Sequence, residues 1–330
     1  MEGLLQDLKT NQIKQVYLLF GEEDYLRKQY RDRVREKLVE QGDTMNYTYL
    51  EGKNHEIGGV IDLAETLPFF AERRVIIWEN SGLLKKGGEQ LAQYLEEIVD
   101  TTYFILVEKE IDKRSKLFKT LKKKGRVCEF GIQNEATLKR WILSILKREN
   151  KKITELTMNV LLDKTGTDME IIKTELEKLI CYTIEKEEIT KEDVETIVTH
   201  RVSNQIFDMI NAMADKNQKK ALDLYYDLLT LKEPPLRILA LISRTFHLLM
   251  QVKILKGKGH SDKVIGEQVG LHSFVVSKYA KQVNRFSAKE LRNAVESCVE
   301  AEENVKTGKM NDKMSIELLI VKLSQSNGDL

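Results

Sequence analysis

Prolines are scarce: three in 330 residues, at Pro68, Pro234 and Pro235. Proline lacks a backbone donor and interrupts helices, so a chain this long with so few of them reads as rich in helix. Cysteines are equally few. Cys128, Cys181 and Cys298 lie far apart and are odd in number, which excludes a disulfide framework and fits a reducing compartment. No charge predominates, with 53 Lys and Arg against 52 Asp and Glu and a net charge of +1. That balance excludes a uniformly basic nucleic-acid coat but leaves room for a local basic patch. No apolar run approaches membrane-spanning length, and Met1–Leu8 has no basic stretch leading into an apolar one. The expected setting is cytoplasmic, with no membrane partner.

The chemistry of common enzymes is also missing. His55, His200, His247, His260 and His272 are scattered without ligand spacing, and no Gly-x-Ser-x-Gly elbow occurs. Adjacent carboxylates such as Glu22-Glu23, Glu96-Glu97 and Glu302-Glu303 read as solvated helix faces. No catalytic residue, metal site or cofactor site is assigned.

What is present divides in two. Up to about residue 140, apolar strand-like runs alternate with helical spacing. The runs are Val16–Phe20, Tyr47–Leu50, Val75–Trp78, Tyr103–Val107 and Val127–Phe130. Such alternation predicts a parallel sheet covered by helices on both faces. From Glu135 onward only helical periodicity is expected, as at Leu138, Ile142, Ile145 and Leu146, and Thr190 with Asp193 forms a capping pair. The expected domains are 1–140, 141–210 and 211–330: an α/β domain, a small helical domain and a helical bundle.

In a nucleotide-binding α/β domain the first strand-to-helix turn cradles phosphate with glycines, a lysine and backbone amides. Here that turn reads Gly21-Glu22-Glu23-Asp24, whose carboxylates repel a polyphosphate. No Gly-Lys-Ser or Gly-Lys-Thr occurs, and the fourth strand ends in Glu108-Lys109 rather than an Asp-Glu pair that would hold magnesium and water. These features argue against ATP hydrolysis.

Leu67-Pro68-Phe69-Phe70, followed by Ala71-Glu72-Arg73-Arg74, lies between a helical run and a strand. Pro68 biases Leu67 toward extended backbone, so the helix ends before it. Neighbouring side chains on such a turn diverge. A short apolar cluster with charged flanks then reads as a plug for another protein's pocket; the alternative is that both rings close the domain core. Two basic features also stand out. Asp112–Gly125 reads as a lysine-rich helix capped by Asp112 and stopped by Gly125, either a phosphate-contacting face or a solvated amphipathic helix. Ile265–Tyr279 has helix-turn-helix rhythm, but Phe274, Val275 and Val276 suit packing better than base edges.

Taken together, several segments resemble the delta-subunit family of bacterial DNA polymerase III clamp loaders. They are Val16–Leu26, Leu67–Val75, Asp112–Leu117, Gly166–Asp168 with Glu175–Leu179, and Val305–Gly308. The likeness runs from about residue 14 to 325. It implies a degenerate AAA+-like α/β domain without a phosphate loop, a small helical lid and a C-terminal helical collar. It further implies that Leu67, Phe69 and Phe70 enter a hydrophobic cleft on the sliding clamp. The implied partners are that clamp, the ATPase and delta-prime subunits of a hetero-pentamer, and primed DNA, with Lys306 and Lys309 as candidate DNA contacts and no cofactor. Pro68 replaces a residue that is often small and polar in relatives, and Leu271-His272-Ser273-Phe274 lacks a proline they often carry. Lys306–Lys313 holds no aromatic residue to stack on a base. A helix-turn-helix DNA-binding regulator and a divergent nucleotide hydrolase are the competing readings.

Overall fold

The structure, a computed structural model, describes residues 2–199, 202–271 and 273–325. It divides into two compact units, 1–133 and 134–330.

The first unit runs α1 (Glu2–Thr10), β1 (Val16–Phe20), α2 (Asp24–Leu38), β2 (Tyr47–Glu51), α3 (Ile57–Glu65), β3 (Arg74–Glu79), α4 (Glu89–Tyr94), β4 (Thr102–Glu108), α5 (Lys116–Lys124) and β5 (Arg126–Glu129). All five expected strands form, in one parallel sheet of order β2-β3-β4-β1-β5. Their apolar runs exist because β1, β3 and most of β4 are buried on both faces. Period-2 alternation sorts the side chains. Val16, Leu18, Phe20, Ile76, Trp78, Phe104 and Leu106 face one core with Val60, Ala64, Leu91, Leu117 and Leu121 of α3, α4 and α5. On the other face, Tyr17 donates its hydroxyl to Asp7 of α1 (3.1 Å), which also receives Arg126 (2.8 Å). Tyr30 of α2 stacks on Phe130 there, with centroids 5.3 Å apart.

Helix α5 departs from the sequence reading at its start. Ser115, not Asp112, is the cap: its side chain accepts from the Phe118 backbone N–H. Asp112 instead accepts from the Arg114 backbone and guanidinium, a local turn that competes with capping. Gly125 does end the helix. A Cβ there would lie 2.1 Å from the Val16 carbonyl oxygen, so close approach of backbones requires glycine.

The second unit runs α6 (Glu135–Arg148), β6 (Lys152–Ile153), α7 (Glu155–Thr165), α8 (Met169–Tyr182), β7 (Glu188–Ile189), α9 (Lys191–Ile197), α10 (Val202–Ala214), α11 (Gln218–Thr230), α12 (Pro235–Gly257), α13 (Asp262–Val269), α14 (Ser273–Val283), α15 (Ala288–Lys306) and α16 (Asp312–Ser324). Residues 134–140, read from sequence as the end of the α/β domain, open α6 of this unit, which Asn134 caps. The region expected to hold helices alone also contains the short parallel pair β6–β7. Two-residue strands carry no periodicity, which is why the sequence hides them. The capping box of Thr190 and Asp193 is present at α9. Helix α10 crosses the expected 210/211 boundary: its Ile206, Met209 and Ile210 share one core with Tyr225, Phe246, Leu291 and Ile316 of the following helices.

Helix α12 starts at Pro235, where the missing N–H costs nothing. Contrary to the expectation that nothing approaches membrane-spanning length, it is, among the described residues, the one helix long and apolar enough to cross a membrane, although charged residues interrupt its apolar run. Its Ile238, Ile242, Phe246 and Leu249 are fully buried in the bundle core, which accounts for its hydropathy.

Candidate protein-docking site and the closed phosphate-loop position

Helix α3 ends at Glu65, and the chain swings out before entering β3 at Arg74. Leu67, Phe69 and Phe70, the three residues expected in the plug, are all on the surface, at 74%, 57% and 95% exposure. The core-filling alternative is thereby excluded, and both rings face outward. They contact each other edge to face with centroids 4.5 Å apart. Phe70 has φ of +50°, in the left-handed region that costs an L-residue about 1–2 kcal/mol. An exposed aromatic in unfavourable backbone geometry needs something to hold it.

Two side chains do so. Arg74, only 6% exposed, donates Nε to the Thr66 carbonyl (2.7 Å) and Nη2 to the Leu67 carbonyl (3.2 Å). Asn46, 3% exposed in the loop before β2, brackets Phe69 from both sides of its main chain. The Phe69 N–H donates to Asn46 Oδ1 (2.6 Å), and Asn46 Nδ2 donates to the Phe69 carbonyl (2.9 Å). Asp43 orients Asn46 in turn. Its Oδ2 accepts the second Nδ2 hydrogen (2.9 Å), while Oδ1 accepts the Met45 and Asn46 backbone N–H groups. The Asn46 side chain and backbone donors, aided by the Met45 amide and the charge on Arg74, hold the Asp43 carboxyl below the usual carboxylate range. Met45 beside this bracket is itself 63% exposed.

The sequence reading named Leu67, Phe69 and Phe70 as a candidate plug but missed Arg74, Asn46 and Asp43, which hold the turn that carries them. Asp43 followed by amides two and three residues on is a recognisable Asx turn. That Asn46 reaches a loop 23 residues away has no local signature.

The turn after β1 is closed by the protein itself. The Gly21 N–H donates to the Glu108 carbonyl and the Glu23 N–H to the Phe130 carbonyl, so these amides point into the fold. A Cβ on Gly21, whose φ is +128°, would lie 2.2 Å from the Phe130 oxygen. Asp24 pairs with Arg27 (2.6 Å) and Lys28 (2.7 Å). Glu108, at the end of β4, is buried and accepts Ser81 Oγ (2.5 Å) and the Gly82 N–H (3.0 Å) on one oxygen. Burial pushes its carboxyl up from the usual range. Among the described residues, no group of three or more His, Cys, Asp or Glu is arranged to hold a metal ion.

The basic features are placed as follows. Lys306 ends α15 and pairs with Glu302 (2.6 Å); Lys309 lies exposed in the turn beyond it. On the lysine-rich α5, Lys123 meets the Glu96 carboxylate (3.0 Å) and Lys124 the Glu96 carbonyl (2.5 Å), so two of its cations serve the fold. Helices α13 and α14 do form a helix-turn-helix, with Gly270 left-handed between them. Val276 of α14 and Ile265 of α13 are buried against Val252 of α12. The Phe274 side chain and His272 lie outside the described residues.

The class these features define is a parallel α/β unit with a self-filled phosphate-loop position and an exposed aromatic turn, joined to a mainly helical unit. Family models for "DNA polymerase III, delta subunit" and "DNA polymerase III delta subunit, C-terminal domain" match residues 17–131 and 203–323. The chain is 31% identical to the DNA polymerase III subunit delta of Bacillus subtilis (strain 168), over 98% of this chain and 96% of that one. It is 26% identical to the probable DNA polymerase III subunit delta of Aquifex aeolicus (strain VF5), over 86% and 83%. The solved Bacillus subtilis DNA clamp loader delta protein superposes with a TM-score of 0.78 at 29% identity, covering 98% of this chain and 99% of that one. The chain belongs to the DNA polymerase III delta-subunit family, the delta subunits of clamp loaders. The regulator reading is not favoured.

Proposed function

We propose that this delta subunit seizes the sliding clamp through Leu67, Phe69 and Phe70 and helps open the ring for loading onto primed DNA. One observation carries the proposal: three large apolar side chains stand in solvent on a turn that the protein holds with a buried arginine and a buried asparagine. Burying each in an apolar cleft contributes roughly 1.5–3 kcal/mol before association costs. Affinity alone does not open a ring, because a ligand shifts an equilibrium only by its differential affinity for the two states. The plug therefore binds a clamp conformation whose interface is already weakened, and ATP-using partner subunits control when the plug is presented. On this reading the chain is a non-ATPase member of a hetero-pentamer with ATPase and delta-prime subunits. Residues 134–199 form its lid and 202–325 its collar. The inward-pointing amides of Gly21 and Glu23 support the absence of ATP turnover.

Phe69→Ala/Phe70→Ala in one chain tests the plug. Clamp affinity measured by surface plasmon resonance is expected to fall at least about a hundredfold, since two anchor residues of about 2 kcal/mol or more are lost. Unchanged thermal unfolding would show the fold intact; near-normal affinity would overturn the proposal. Lys306 and Lys309 are proposed DNA contacts within the assembled loader. Replacing Lys309 with alanine there is expected to reduce the salt slope of DNA binding by about one.

A further inference from the structure

The plug turn is held at a backbone geometry it would not choose. Asn46 is the group that spans it, and its amide has one consistent orientation. Oδ1 faces an N–H, while Nδ2 faces two oxygens, the Phe69 carbonyl and Asp43 Oδ2. Turning the amide over would set a donor against a donor and an acceptor against two acceptors. Asn46 is in turn tied to the sheet, because its carbonyl accepts the Val75 N–H at the start of β3 (2.8 Å). Asp43 gathers the Asn46 side chain and two backbone amides on one carboxylate. The chain Asp43–Asn46–Phe69 thus links a rigid sheet edge to the residue before the most exposed ring.

Resting on the plug reading, we propose that Asn46, oriented by Asp43, is a positioning residue that pre-organises the clamp-binding tip by fixing the Phe69 main chain before the clamp arrives. It touches neither ring's outward surface and acts through backbone alone. Without it, Phe70 samples the favourable negative-φ region, and ordering the tip becomes part of the binding cost.

The test uses the full chain with Asn46→Ala, with Asp43→Ala, with the double plug variant Phe69→Ala/Phe70→Ala, and with Asn46→Ala added to that double variant. Clamp affinity, thermal unfolding and ¹⁵N order parameters at Phe69 and Phe70 are measured for each. Asn46→Ala is expected to weaken clamp binding about tenfold and to lower the order parameter at Phe70, with unfolding temperature little changed. Added to the double plug variant, it is expected to cause no further loss. Because Asn46 is buried, Asp43→Ala serves as the milder variant; it leaves the bracket in place but unoriented, and a smaller loss of the same kind is expected. Normal affinity for both bracket variants, with the double plug variant defective, would overturn the positioning role and leave the plug intact. Normal affinity for the double plug variant would overturn the plug reading and the positioning role with it. An affinity loss with Phe70 as ordered as in the parent would also overturn positioning.

Discussion

Individual residues show how this fold uses groups that other α/β proteins reserve for nucleotides. Glu108 stands where a catalytic carboxylate would meet magnesium and water, yet it accepts Ser81 and Gly82. Its carboxyl is raised by burial, so the folded state binds a proton more tightly than the unfolded chain. Stability therefore falls as pH rises from the ordinary glutamate value, about 4.3, through the folded one, and levels above it. Glu108→Gln keeps an oxygen acceptor for both donors and removes the buried charge. Chemical denaturation between pH 4 and 8 is expected to show a flatter profile, with neutral-pH stability equal or higher by about 1 kcal/mol. An unchanged slope would assign the pH dependence elsewhere. The thiols give an independent check. Cys298 is buried and pushed up to about 12 by burial, and Cys128 is buried and raised by the same cause, whereas Cys181 is exposed. One thiol is expected to react rapidly with a disulfide reagent in the native protein, and the other two only on unfolding.

At the scale of elements, α5 gives the sharpest test of a corrected reading. Ser115→Ala removes the cap and is expected to cost about 1 kcal/mol, read as a lowered melting temperature. Asp112→Ala is expected to leave the melting temperature unchanged, because Asp112 holds only an exposed turn. The elements also show what local pattern can and cannot reveal. The strands Val16–Phe20, Arg74–Glu79 and Thr102–Glu108 were legible because burial on both faces writes itself as an unbroken apolar run. Pairs as short as Lys152–Ile153 with Glu188–Ile189 leave no such trace. The exposed aromatic turn was legible through Pro68 and two adjacent phenylalanines, since proline constrains its own neighbourhood. Its supports were not, because Asn46 and Phe69 are neighbours only once β2 and β3 have paired.

For the whole molecule, the division at residue 133 separates the proposed clamp-binding surface from the helical bundle. The first unit has its own core, built from β1, β3 and β4 with α3, α4 and α5. Every group that shapes the plug turn, from Asp43 to Arg74, belongs to that unit. A unit of this size buries enough apolar surface to fold alone. Expressed by itself, residues 1–133 are therefore expected to unfold cooperatively and to bind the sliding clamp within about threefold of the full chain, since pre-organisation and contact area are both retained. The isolated unit is expected not to enter the loader pentamer, which on the proposed reading assembles through the collar. Size-exclusion chromatography with clamp and loader subunits separates these outcomes. A fragment that folds but fails to bind the clamp would mean that residues beyond 133 contribute to the clamp interface.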